Sequence, residues 1–226
     1  MELNQQAGIE TSTARQSGMR SAGILFVACV VGWAVMELEI LGVRIMVPVF
    51  GGAIYVVTGS IIGVFLLSLA VGYMIGGWLS GLGNPRRTLG TVILAAGVCF
   101  VVMASKHKTV CEAIFNLDWD VKWGSLLASL VLFGPPTALL GTVSPLVVHW
   151  LSEGSGRTGY WAGTAMAIST VASFAGCIVT AFYLVLYSLK TTLVATGLAL
   201  VVLGALMLLI GIWVQRESVV RGSTNG

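Results

Sequence analysis

The chain is organised around residues 36–52, which read MELEILGVRIMVPVFGG. Two carboxylates, Glu37 and Glu39, and one guanidinium, Arg44, stand near the end of an apolar run that otherwise has the composition of a membrane-spanning helix. A charge at that depth costs a few kcal/mol unless it is paired or hydrated. These three residues are therefore the first candidates for a functional site.

Helix geometry separates the two carboxylates. Glu37 and Arg44 share one face about two turns apart, whereas Glu39 points nearly the opposite way. One carboxylate could therefore pair with Arg44 while the other faces a neighbouring helix. Such a pair either belongs to a binding site or only fixes the first span against its neighbours.

The composition places the whole chain in a membrane. Of 226 residues, 57% are hydrophobic and 9% are charged, and the mean hydropathy is +0.95. This predicts an all-α, polytopic membrane helical bundle. The net charge of +3 is small and spread out, so no nucleic-acid partner is expected. The four cysteines form no CxxC and have no histidine at metal spacing, so neither a metal site nor a cofactor is predicted.

A span needs about 20 apolar residues, and this rule predicts six spans within a transmembrane domain over 21–214. They fall at Ser21–Val43, Tyr55–Leu82, Thr88–Ala104, Trp123–Leu151, Gly159–Tyr187 and Thr191–Val214. Residues 1–20 are expected to form a disordered tail, 105–122 an external loop and 215–226 a C-terminal tail. The side that would carry both termini has seven positive charges against five, so the positive-inside rule predicts cytoplasmic termini.

Small residues predict which helices pack closely. The second span carries small-xxx-small pairs, and the fifth span is rich in Gly, Ala, Ser and Thr, so these two spans are expected at the packed centre. The third and sixth spans are nearly uniform in Leu, Val, Ala and Gly and are expected to face lipid. The predicted packing residues are Gly59, Gly63, Gly72, Gly76, Gly77, Thr170, Ser173 and Gly176.

Prolines mark the fourth span. Pro135 and Pro136 remove two backbone donors in mid-span, and Pro145 repeats the disturbance ten residues on. Kinks are expected there, and with them backbone carbonyls that either face a cavity or serve packing alone.

Six segments follow one another in order: EILGVRIMVPVFG (39–51), IIGVFL (61–66), GYMIGG (72–77), FGPPT (133–137), LGTVSPL (140–146) and STVASFAG (169–176). Together they resemble the membrane half of the bacterial fused MFS/spermidine synthase-like proteins, and the resemblance covers about residues 30–190. It implies a multi-pass protein of the bacterial inner membrane. In that family a soluble, Rossmann-type aminopropyltransferase-like domain follows the membrane region, and the resemblance implies that here such a domain is a separate chain.

The resemblance favours a module that transports or docks a small cationic, polyamine-like substrate. Glu37, Glu39, Arg44 and Tyr73 would line its site. Six helices are half of a facilitator-type transporter, so transport would need a homodimer or other membrane subunits. The Gly76-Gly77-Trp78-Leu79 segment resembles the loop after the second facilitator helix, but the Asp of that motif is missing.

Two other functions remain open. A non-catalytic accessory or anchoring subunit of a larger membrane complex suits the small size and the glycine-rich faces. An enzyme is the weakest option, because His149 has no carboxylate nearby in sequence and Ser144, Ser169 and Ser173 have no matching base.

Overall fold

The computed structural model describes the backbone of residues 2–51, 54–81, 84–153 and 157–223, and the side chains of 21–51, 54–81, 84–153 and 157–212. Within these ranges the chain is helical and contains no strand. Six long helices and one 3₁₀ turn follow in order: α1 (Glu2–Phe50), α2 (Ile54–Ser80), α3 (Pro85–Phe115), α4 (Val121–Ser152), α5 (Thr158–Phe182), the turn Leu184–Leu186, and α6 (Leu189–Ser223).

Each of the six described helices contains a segment long and apolar enough to cross a membrane. These segments are Ser21–Phe50, Ile54–Ser80, Pro85–Phe115, Val121–Ser152, Thr158–Leu186 and Leu189–Ile212. The predicted all-α, multi-pass helical bundle is thereby confirmed. An even number of spans leaves both ends of the transmembrane domain on one side, and the cytoplasmic orientation stays a prediction.

The first span is longer than the sequence suggests. The prediction ends it at Val43, before the charge of Arg44, but α1 continues as a helix through Pro48 to Phe50. At 1.5 Å per residue, Glu37 and Glu39 lie about 20 Å and about 16 Å along the axis from Phe50. Both carboxylates therefore sit deep within the span instead of near its end.

The termini also differ from expectation. α1 begins at Glu2 and so includes most of the predicted disordered segment 1–20, where no proline interrupts the helix. α6 likewise continues to Ser223 across most of the predicted tail 215–226, of which 224–226 lie outside the described residues.

The predicted external loop 105–122 is mostly helix. α3 continues to Phe115, because one face of its last turns is buried: His107 and Cys111 are 7% and 1% exposed. His107 also bonds the Met103 carbonyl through Nδ1 at 3.1 Å, within its own helix. Only residues 116–120 connect α3 to α4, and Asp118 turns the chain there with a φ of 52°. Asp is one of the few residues that adopts this left-handed conformation readily.

The helices associate in three close pairs, α1 with α5, α2 with α4, and α3 with α6. The centre of the bundle is formed by α1, α3 and α4. In the most apolar stretch of each helix, 56%, 50% and 61% of the residues are buried, respectively. The corresponding fractions for α2, α5 and α6 are 28%, 17% and 22%. The prediction that the second and fifth spans form the centre is therefore wrong, and so is the lipid-facing position of the third. The sixth span is peripheral, as expected.

The α2–α4 contact confirms the predicted packing roles of Gly72 and Gly76. A Cβ built on Gly72 would lie 2.9 Å from Gly141 Cα, and one on Gly76 would lie 2.6 Å from Pro145 Cγ. The backbones of the two helices can approach this closely only because these glycines lack side chains. A Cβ on Gly59, Gly63 or Gly77 would meet nothing within 4 Å, so these three predicted packing residues face away from the bundle.

The α1–α5 pair uses Gly32 and Gly176. Ser173 Oγ donates a hydrogen bond to the Gly32 carbonyl at 3.0 Å, and a Cβ on Gly176 would lie 3.0 Å from the Trp33 carbonyl oxygen. The predicted packing roles of Ser173 and Gly176 are thus confirmed. Thr170 is exposed and donates to the Met166 carbonyl of its own helix, so its predicted packing role is wrong.

The α3–α6 pair contains close glycine contacts that are not among the predicted packing residues. A Cβ on Gly204 would lie 2.8 Å from the Gly90 carbonyl oxygen, and one on Gly97 would lie 2.7 Å from the Gly197 carbonyl oxygen. Each helix spaces its two glycines seven residues apart, which places both on one face. This spacing is the sequence signal that a search for small-xxx-small pairs overlooks.

The prolines of α4 do not end the helix. α4 is assigned as one α-helix from Val121 to Ser152 with Pro135, Pro136 and Pro145 inside it. Each proline still lacks the N–H that the carbonyl four residues earlier would accept. The predicted kinks and their role stay a prediction.

Candidate functional site

Glu37 is the most deeply buried charged side chain of the described bundle, at 1% exposure. Each of its carboxylate oxygens accepts one hydrogen bond. Trp33 Nε1 donates to Oε2 at 2.9 Å, and Thr196 Oγ1 donates to Oε1 at 2.5 Å. The carboxylate therefore keeps two donors in an apolar interior, where an unbonded polar group is expensive.

Local geometry explains both bonds. Trp33 stands one turn before Glu37 on α1, the spacing at which helical side chains meet. Thr196 lies on α6, and its hydroxyl donates to the carboxylate, whereas several other threonines in these helices donate to nearby backbone carbonyls. Thr164, Thr170 and Thr192, by contrast, each donate to the carbonyl four residues earlier. The Glu37–Thr196 bond thus ties α6 to α1, two helices with little other contact.

Arg44 does not pair with Glu37. Its Nη1 donates to the Tyr187 carbonyl at 2.8 Å, in an exposed position. Tyr187 follows the 3₁₀ turn with extended backbone, φ −88° and ψ 168°, so its carbonyl points away from any helical ladder and is available to a cation. The hypothesis of a Glu37–Arg44 pair is wrong. The Glu37 carboxylate accepts from Trp33 and Thr196, and the Arg44 guanidinium donates to the Tyr187 carbonyl instead.

Of the two carboxylates in the first span, Glu39 is the one without a partner among the described residues. It is half-buried, and within the described part of the chain it accepts no hydrogen bond and forms no ion pair. It lies about 200° around α1 from Glu37 at 100° per residue. A carboxylate in this position must be protonated, hydrated or matched by a group from outside the chain.

Tyr73 stands apart from the other predicted site residues. It is 48% exposed on α2, and no hydrogen bond of the described residues joins any two of Glu37, Glu39, Arg44 and Tyr73. The four predicted substrate-binding residues therefore do not form one connected site. Glu37 is bonded to α6 through Thr196, and Arg44 is bonded to the segment between α5 and α6 through the Tyr187 carbonyl. Glu39 therefore remains as the candidate for ligand binding.

Three buried hydroxyls along α4, those of Ser125, Ser129 and Thr137, are not among the predicted site residues. Ser125 Oγ lies 3.2 Å from Ser60 Oγ of α2, which links the two helices. Ser129 and Thr137 are fully buried, and neither hydroxyl has a partner among the described residues. Buried hydroxyls of this kind commonly bond an ordered water. Each of these residues is an isolated Ser or Thr in an apolar stretch, so no sequence motif distinguishes it as a site residue.

A groove of about 580 Å³ lies at the start of α4. Two indoles form its upper end, since Trp119 and Trp123 are 56% and 64% exposed. Asp120 lies between them and caps α4, accepting the Lys122 backbone N–H at 3.3 Å through Oδ1. The remaining walls are three leucines of α4: Leu126, Leu127 and Leu130.

No three His, Cys, Asp or Glu side chains converge at metal-binding distance in the part of the chain that the structure describes. Comparison with known proteins gives no family: no family model, no curated protein and no solved structure matches this chain.

Proposed function

We propose that this chain is a membrane module that binds a small cationic, polyamine-like molecule through the carboxylate of Glu39. The observation that carries the proposal is the half-buried, unpartnered state of Glu39 deep in the first span. Ionisable groups inside a membrane usually belong to a ligand pathway or pair with another group. An ammonium group is the complementary charge that Glu39 lacks.

The resemblance to the membrane half of the spermidine synthase-like fusion proteins supports the choice of ligand. In this proposal the module sits in the bacterial inner membrane and moves or presents a polyamine to a separate synthase-like chain. Glu37 has a different role from the one the sequence suggests, because both of its oxygens are already bonded within the protein.

Two glutamine variants of the full chain test the proposal. The purified protein is measured for binding of radiolabelled spermidine, and proteoliposomes are measured for its uptake. Glu39→Gln removes the unpartnered charge and should abolish binding. Glu37→Gln is the matched control, two residues away on the same helix, and should lower thermal stability while spermidine still binds.

Equal spermidine binding by the wild type and Glu39→Gln would refute the role of Glu39. Loss of binding in Glu37→Gln alone would assign the site to the opposite face of α1. Binding without uptake in proteoliposomes would favour docking over transport.

We infer a second candidate function, an accessory or anchoring subunit, from the outward faces of α2 and α5. A Cβ on Gly59, Gly63 or Gly163 would meet nothing within 4 Å, so these faces could accept a close-packed helix of another subunit. Purification from the native membrane in a gentle detergent, followed by mass spectrometry, tests it. A stoichiometric membrane subunit that is lost in a Gly63→Leu variant would support this function, and a chain recovered alone in both forms would refute it.

A further inference from the structure

We propose that the groove at the start of α4 binds a phospholipid whose headgroup carries a primary ammonium. The groove is apolar along its length and polar at one end only, as an amphiphile requires. Its leucines, Leu126, Leu127 and Leu130, continue down α4 from the two indoles of Trp119 and Trp123. At 1.5 Å per residue the leucine wall reaches about 10 Å below Trp123.

The depth of the groove suits a lipid. The span Val121–Ser152 has 32 residues, and at 1.5 Å each it is about 48 Å long, against about 30 Å for the hydrocarbon core. The first turns of α4 therefore extend into the headgroup layer, and Leu130 stands at the level of the acyl chains. Exposed tryptophans are typical of this boundary.

The charges at the upper end select the headgroup. Asp120 uses Oδ1 to cap α4, and the described residues offer its other oxygen no partner. Trp119 and Trp123 line the groove together with Asp120, and the face of an indole attracts a cation. A primary ammonium can donate a hydrogen bond to the carboxylate, which a quaternary ammonium cannot do.

The same end of the helix accommodates the phosphate. Lys122 is exposed two residues after Asp120, beside the groove and not in its wall, and the N-terminus of α4 carries partial positive charge. Together these groups complement a zwitterionic headgroup better than a purely anionic one. The occupant is therefore an ethanolamine-type lipid, with its ammonium at Asp120 and its acyl chain along the leucines.

Native mass spectrometry of the full chain tests the proposal. The delipidated protein is titrated with three phospholipids of identical acyl chains, bearing ethanolamine, choline or glycerol headgroups. We expect the ethanolamine lipid to bind at least about tenfold more tightly than the choline lipid. Asp120→Asn should remove this preference, and it keeps the cap because Asn is also a preferred N-cap residue.

Two further variants separate this site from general lipid contact. Asp118→Asn removes an exposed carboxylate two residues away that does not line the groove, and it should leave the preference unchanged. Trp123→Leu should weaken binding of all three lipids. Equal binding of the ethanolamine and choline lipids by the wild type, tighter binding of the glycerol lipid, or the same loss in Asp118→Asn would each overturn the proposal.

Discussion

Replacing Gly204 by alanine should loosen the α3–α6 pair. The added Cβ would lie 2.5 Å from the backbone nitrogen of Leu94 and 2.8 Å from the carbonyl oxygen of Gly90. Both atoms belong to the backbone of α3, so no side-chain rotation can relieve the overlap and the two helices must separate. Separation would also weaken the matching contact between Gly97 and Gly197, on the same faces one heptad away.

The magnitude follows from two opposing terms. Overpacking a close contact costs about 1–3 kcal/mol, and alanine recovers about 1 kcal/mol relative to glycine through its helix propensity. We therefore expect Gly204→Ala to lower the free energy of unfolding by up to about 2 kcal/mol. Gly63→Ala makes the same chemical change where a Cβ meets nothing within 4 Å, so it should be neutral or stabilise by up to about 1 kcal/mol.

Thermal unfolding of the two variants in the same mild detergent measures the difference. For a domain of this size 1 kcal/mol moves the midpoint by about 2–4 °C, so a gap of about 2 kcal/mol corresponds to about 4–8 °C. A Gly204→Ala protein that unfolds at or above the temperature of Gly63→Ala would refute close glycine packing between α3 and α6.

Three further outcomes are expected. Thr196→Val should destabilise the fold by about 1–3 kcal/mol in the same thermal assay, because it leaves one oxygen of buried Glu37 without its donor; an unchanged midpoint would contradict the α1–α6 tie. Arg44→Gln should raise hydrogen exchange around Tyr187 with little change in global stability, since the bond it removes is exposed; exchange as slow as in the wild type would exclude the contact. Phe50→Ala should cost about 3–5 kcal/mol in denaturant titration, since Phe50 is 3% exposed; a loss below about 1 kcal/mol would argue that this end of α1 is not packed.

The number and positions of the spans follow from composition, because a bilayer requires long apolar helices and little else in the chain competes with that demand. Span ends are less accessible to sequence. Arg44 was expected to end the first span, yet its side chain reaches a free carbonyl and the helix continues to Phe50. The charged residues after Ala104 favour a loop over a continued helix, so the extension of α3 is not predicted. His107 and Cys111 nevertheless lie on a buried face of that extension.

The partners of the helices are harder to predict. A small-xxx-small pair says that a close approach is possible, and it does not say which neighbour makes it. Gly72 meets α4 whereas Gly59, on the same helix, meets nothing. The candidate site shows the same limit, because Thr196 is separated from Glu37 by 159 residues and no spacing rule connects them.

The three helix pairs also impose an order on assembly during synthesis. The partner of α3 is α6, which the ribosome completes about a hundred residues later, on the order of 5–20 s at roughly 5–20 residues per second. Until then the face of α3 that carries Gly90 and Gly97 has no α6 to cover it. The partner of α1, which is α5, and the partner of α2, which is α4, are likewise synthesised later. Three helix faces are therefore without their final partner at the same time in the newly inserted chain. Until the later helices are made, each face is accessible to lipid, to a chaperone or to an incorrect helix.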